Sequence, residues 1–94
     1  MTLAEGLEKL VAAGLAADIK RDLYPPYLFG GMGRFESRGV KGYSEPAFRI
    51  EHHGKKFSDP NLYKAATTLK AQMPDEEHGD LEHCVDWVIG RLKK

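Results

Sequence analysis

The chain has 94 residues, 41% of them hydrophobic and 10% aromatic. That suits one compact domain spanning 1–94 and is too apolar for a disordered chain. Fourteen basic and fourteen acidic residues cancel, so overall charge points to neither a polyanion nor a polycation as partner. One cysteine, Cys84, excludes an intramolecular disulfide and reads as cytoplasmic. Residues 1–17 are interrupted by Glu5, Glu8 and Lys9, which makes no signal-peptide core. No apolar run approaches the roughly 18 residues that would span a bilayer, so no membrane is expected.

The neutrality hides a layout. Residues 1–23 carry four acids and three bases. Residues 24–57 carry six bases against three acids, and residues 58–94 seven acids against five bases. The middle is basic and the C-terminal part acidic.

The N-terminal segment reads as helical. Thr2 with Glu5 three places on is a capping-box pattern. Leu3, Leu7, Leu10 and Val11 form one stripe. Leu15, Ile19 and Leu23 form a second, rotated by over about 100° on a helix of 3.6 residues per turn. Gly14 between them favours two short helices, 2–13 and 15–23, over one kinked helix. Pro25 and Pro26 end the region.

Residues 24–46 hold five glycines (Gly30, Gly31, Gly33, Gly39, Gly42) and five rings (Tyr24, Tyr27, Phe29, Phe35, Tyr43). This composition predicts an ordered Gly/aromatic loop with a short strand near 34–38. Ala47 to His52 alternates apolar and charged residues, as a strand does, and His53-Gly54 suits a two-residue hairpin turn. That register sets Ile50 against Phe57 and Glu51 against Lys56. The hairpin needs a third strand or a helix behind it.

Ser58-Asp59-Pro60 predicts a helix start, with Leu62, Ala65, Ala66, Leu69 and Met73 on one face and Pro74 as its stop. Asp75, Glu76 and Glu77 suit the start of a last helix, and Arg91, Lys93 and Lys94 its end. Its stripe is Leu81, Cys84, Val85, Val88, Ile89 and Leu92. The expected fold is therefore α+β: an N-terminal helical region, a Gly/aromatic loop, a β-hairpin or three-stranded antiparallel sheet, and two C-terminal amphipathic helices.

Chemistry-bearing residues are sparse. Glu51, His52 and His53 meet near the hairpin tip, but neighbours on a strand point to opposite faces. His78, His83 and Cys84 lack the three- or four-residue spacing of a helical zinc site. Cys84 lies in an apolar stripe, which raises a thiol pKa and works against a nucleophile. The glycines of Phe29–Arg34 lack the Lys-Ser/Thr ending and the preceding strand of a phosphate loop. No catalytic residue, metal centre or cofactor is assigned.

What stands out is the mixing of bases and rings in the middle segment. Arg34, Phe35, Arg38, Lys41, Tyr43, Arg49, Lys55 and Lys56 form the candidate contact surface. Trp87, at the margin of the last helix's stripe, is a second interface candidate. The residues point to a small non-catalytic module that binds another protein or itself, of an accessory or inhibitory kind. The alternative is a nucleic-acid-binding module using 34–57, by backbone charge pairing and base stacking.

Overall fold

The computed structural model describes residues 1–22, 25–53, 62–68 and 75–93. Helix α1 covers Leu3–Ala12. The Thr2 hydroxyl accepts from the Glu5 N–H at 3.1 Å, and the Glu5 carboxylate accepts from the Thr2 N–H at 2.9 Å. This is the reciprocal cap the spacing predicts. The helix ends where Gly14 turns left-handed, with φ +92°. Its N–H bonds to the Val11 carbonyl, and the Leu15 N–H to the Leu10 carbonyl. A Schellman motif of this kind stops a helix and redirects the chain.

After that turn the expected second helix over 15–23 is replaced by strand β1, Ala16–Lys20. The reason lies in the spacing. Leu15 and Ile19 are four apart, which places them on one face of a helix and equally on one face of a strand. Ala17 between them decides the matter: it is buried beside them, as period two requires.

Six further strands follow among the described residues: β2 (Tyr27–Gly31), β3 (Arg34–Ser37), β4 (Val40–Tyr43), β5 (Ala47–His52), β6 (Tyr63–Thr67) and β7 (Asp75–Gly79). Helix α2 (Leu81–Leu92) closes the fold. Five strands make one antiparallel sheet in the order β1-β2-β5-β6-β7, and β3 and β4 make a two-stranded sheet. This β3–β4 arm continues the β2/β5 ribbon. Gly31 pairs with Ala47 and Arg34 with Tyr43, so two residues on one limb oppose three on the other. One extra residue on a limb bends a ribbon.

The helices cover one face of the sheet. In register, that face carries Ala17, Gly30 and Phe48 in one row and Ile19, Leu28, Ile50 and Ala65 in the next. Leu10, Leu15, Leu81, Cys84, Val85, Val88 and Leu92 complete the buried core. The α2 stripe read from the sequence is thus its main wall. Val11, placed by periodicity in the α1 stripe, is exposed instead. Gly30 has a packing reason: a Cβ there would stand 2.0 Å from the Ala16 carbonyl oxygen.

The layout differs from expectation in three places. The Gly/aromatic loop is mostly strand, since Tyr27–Gly31 runs through the middle of the sheet. The expected helix after residue 60 is, over 63–67, the strand β6. Its helical spacing rests on Ala65 and Ala66, whose small side chains drive little burial, while β5 offers an apolar edge to pair with. Asp75–Glu77 do not open a helix; they form the edge strand β7, and α2 starts behind the Asp80 cap. Among the described residues one C-terminal helix therefore stands where two were expected, against a five-stranded sheet. Charged residues on an edge strand also discourage stray pairing.

The register after β5 changes as well. Ile50 pairs with Ala65 and Glu51 with Lys64, not with Phe57 and Lys56. Gly54, Phe57 and the predicted cap at Ser58–Pro60 lie outside the described residues. Among the described residues no helix is long and apolar enough to cross a membrane.

Candidate interaction face

The sheet face away from the helices is open. Alternation sends Leu28 and Gly30 inward and therefore Tyr27 and Phe29 outward. The registers set Asp18, Phe29, Arg49, Ala66 and Glu76 side by side across that face, with Glu51, Lys64 and His78 in the adjacent row. The arm lies against the β1–β2 end of it.

Three rings meet there. Phe29 stands edge-to-face with Tyr27 at 6.0 Å and with Tyr43 of the arm at 5.2 Å. The Arg49 guanidinium sits 4.3 Å above the Tyr27 ring, and that of Arg34 lies 5.2 Å from the Tyr43 ring centre. Such cation–ring contacts add roughly 0.5–1 kcal/mol at exposed sites.

A polar clamp holds the arm down. Arg34 Nη1 donates to Asp18 Oδ2 at 2.7 Å and to the Tyr43 hydroxyl at 2.9 Å, while its Nη2 donates to the Ala17 carbonyl at 2.9 Å. The Tyr43 hydroxyl donates to the same Asp18 oxygen at 2.7 Å. The Arg34 and Tyr43 hydrogen bonds hold the Asp18 carboxyl below its usual range. Burial and the Asp18 bond push Tyr43 upward, so it stays a neutral donor. Between arm and sheet opens a cleft of about 510 Å³ lined in part by Asp18, Phe29, Phe35, Glu36 and Lys41.

The basic residues of this face are mostly matched by acids. Arg49 lies 3.8 Å from Glu51, and Lys64 lies 3.8 Å from Glu51 and 4.0 Å from Glu76. Exposed pairs at these distances contribute little stability but cancel the local field. Arg38, at φ +52° in the arm's turn, and Lys41 on β4 have no ion pair among the described residues.

The predicted contact residues divide accordingly. Arg34, Phe35, Lys41 and Tyr43 come together around the cleft. Arg49 lies beyond Phe29 on β5, and Arg38 at the arm's tip. Lys55 and Lys56 lie outside the described residues. Trp87 sits on α2, packed against the core on the covered side, with Arg91 5.5 Å from its ring centre. Asp18, Tyr27, Phe29 and Glu51 also belong to the open face; the sequence marks Tyr27 and Phe29 only as rings interleaved with the bases, and does not mark Asp18 at all. The strict alternation Tyr27-Leu28-Phe29-Gly30 is the signal that could have found two of them.

Phe35, at the rim of the cleft, shares with Val40 the side of the ribbon opposite Arg34 and Tyr43. Phe35 and Val40 are 47% and 63% exposed. A Cβ on Gly42 would stand 2.7 Å from Phe35 Cζ, so the ring lies directly over that glycine. Cys84, on the helix side, is fully buried; burial, then the charges of Asp80 and Glu77, push its thiol up to about 11. Comparison of the chain with family models, curated proteins and solved structures gives no match in any of the three.

Proposed function

We propose that this chain is a non-catalytic protein-binding module whose contact surface is the β3–β4 arm and the open sheet face beside it. The observation that carries the reading is the exposure of Phe35 and Val40 on an arm of ten residues, 34–43. Cross-strand pairing sets Phe35 with Gly42 and Ser37 with Val40, so both apolar side chains share one side of the ribbon. Exposed apolar groups clustered on a projecting element favour a partner surface. Charge supports the choice of partner class. The bases of the sheet face are matched by Asp18, Glu51 and Glu76, which weakens attraction for a phosphate backbone. Arg38, at the arm's turn, remains beside the apolar strip, so the partner presents an apolar patch with a carboxylate at its edge.

A nucleic-acid reading keeps one observation in its favour. A two-stranded ribbon fits the major groove, and this one has Arg38 at its turn and Lys41 beside it. An affinity capture with the chain as bait, with and without nuclease, separates the two. A captured protein that survives nuclease, and is lost with the pair Phe35→Ala and Val40→Ser, supports the proposal. Capture abolished by nuclease, or a salt-dependent shift of a labelled oligonucleotide, supports the nucleic-acid reading. A mass above 10.5 kDa in solution, lost with the same pair, identifies a second copy of the chain as the partner.

A further inference from the structure

The chain has four histidines, and the fold collects all of them at one end of the sheet. His52 and His53 are far from His78 and His83 in sequence, and spacing alone treats them as two unrelated pairs. The β5-β6-β7 order joins them. The His53 and His78 rings lie with centres 4.8 Å apart on the open face, both residues exposed. His52 meets Tyr63 at 5.6 Å, and His83 Nε2 lies 3.5 Å from Glu77 Oε2.

We propose that His53 and His78 form a two-imidazole site for a borderline divalent transition-metal ion such as Zn²⁺ or Ni²⁺. The separation of the rings fits one shared ion. With metal–nitrogen bonds of about 2.0–2.1 Å, two imidazoles on one ion have ring centres roughly 4.5 Å apart at a right angle and roughly 5.2 Å apart at the tetrahedral angle. The observed 4.8 Å falls between these values. Imidazole is the donor these ions favour, whereas Mg²⁺ and Ca²⁺ prefer oxygen. Local charge does not oppose a cation. Lys64, which pairs with His78 across the sheet, is offset by Glu51 at 3.8 Å and Glu76 at 4.0 Å, and with Arg49 at 3.8 Å from Glu51 the cluster is neutral. Among the described residues no group of three His, Cys, Asp or Glu side chains could hold a metal. Water therefore fills the remaining positions, and the ion exchanges freely with solution. The site stands apart from the arm and does not depend on the arm's function.

The test uses the untagged chain and ZnCl₂ or NiCl₂ in titration calorimetry near neutral pH. One equivalent of metal binds; His53→Ala and His78→Ala each weaken binding at least tenfold; His83→Ala leaves it unchanged. A second readout on the unmodified chain needs no variant: substoichiometric Ni²⁺ broadens the imidazole signals of His53 and His78 before those of His83. Undiminished binding by the double variant His53→Ala/His78→Ala, broadening that starts at another residue, or no binding at all overturns the proposal.

Discussion

Arg34 on β3 donates to Asp18 on β1 at 2.7 Å and, with its second terminal nitrogen, to the carbonyl of the preceding residue, Ala17, at 2.9 Å. One guanidinium thus ties the arm to the edge strand of the sheet, sixteen residues earlier in the chain. Asp18 also accepts from Tyr43 on the arm's other strand, so both strands of the arm end on one carboxylate.

Removing that carboxylate should free the arm with little effect on the core. Arg34 and Asp18 side chains are both half exposed, so solvent screens the pair and Asp18→Ala should cost about 1 kcal/mol or less. Hydrogen exchange is the sharper measurement. Amides of 34–37 and 40–43 should lose protection in Asp18→Ala while those of β2 and β5 keep it. Unchanged protection would mean that the bend and the Phe29–Tyr43 contact hold the arm unaided.

Two glycines make a contrasting pair. Gly30→Ala would place a methyl 2.0 Å from the Ala16 carbonyl oxygen and 2.8 Å from the Ala17 Cα. Backbone cannot yield that much without separating β1 from β2, so the variant should fail to fold or melt far below the parent. Gly90 lies within α2, and a methyl added there would meet nothing within 4 Å. Gly90→Ala should stabilise by about 0.5–1 kcal/mol, since alanine loses less backbone freedom in a helix. Denaturant melts of both variants read the two signs directly.

The parts of this fold legible in the sequence are those fixed by neighbours along the chain. Thr2 with Glu5 and Gly14 mark the two ends of α1, and the Leu81-to-Leu92 stripe marks α2. These signals act within a turn or two of helix. β1, β6 and β7 are different. Leu15/Ile19 matches a helix as well as a strand, Leu62/Ala65/Ala66 has the spacing of a helix face, and Asp75-Glu76-Glu77 has weak strand preference. Their state is decided by pairing partners on other strands, beyond the reach of any local pattern. The candidate face follows the same rule. Arg34 and Tyr43 stand out by type, but Asp18 becomes their partner only once β1 is a strand.

Cys84 should resist thiol reagents in the folded chain. It is fully buried, its sulfur lies 3.9 Å from the Gly79 carbonyl, and its pKa is pushed up to about 11. Only the thiolate reacts, and at neutral pH almost none is present. Labelling by a mild disulfide reagent should therefore proceed at the rate of opening and accelerate strongly in denaturant. Rapid labelling under native conditions would mean that α2 leaves the sheet readily.

The last prediction concerns acid. Asp75 on β7 is bound in fork fashion by Arg91 of α2, whose Nε lies 3.0 Å from Oδ2, and accepts from the Thr67 hydroxyl at 2.6 Å. Its side chain is 10% exposed and that of Arg91 37%. Burial alone would raise this carboxyl, but the Arg91 and Thr67 hydrogen bonds and the guanidinium's charge hold it below its usual value. Its pKa is thus lower folded than unfolded, where it is about 3.9. A depressed carboxyl stabilises the fold above the unfolded value, and that contribution is lost as pH falls through the folded value. Asp18, lowered by Arg34 and Tyr43, acts in the same direction. Asp75→Asn should cost about 1–2 kcal/mol near neutral pH, between the ranges for exposed and buried pairs. Its stability should also vary less with pH in acid, so that parent and variant converge below about pH 4. Urea melts at pH values from about 7 to about 3 test this. Parallel stability curves for parent and variant would show that Asp75 ionises alike in both states and that Arg91 does not anchor α2 to the sheet edge.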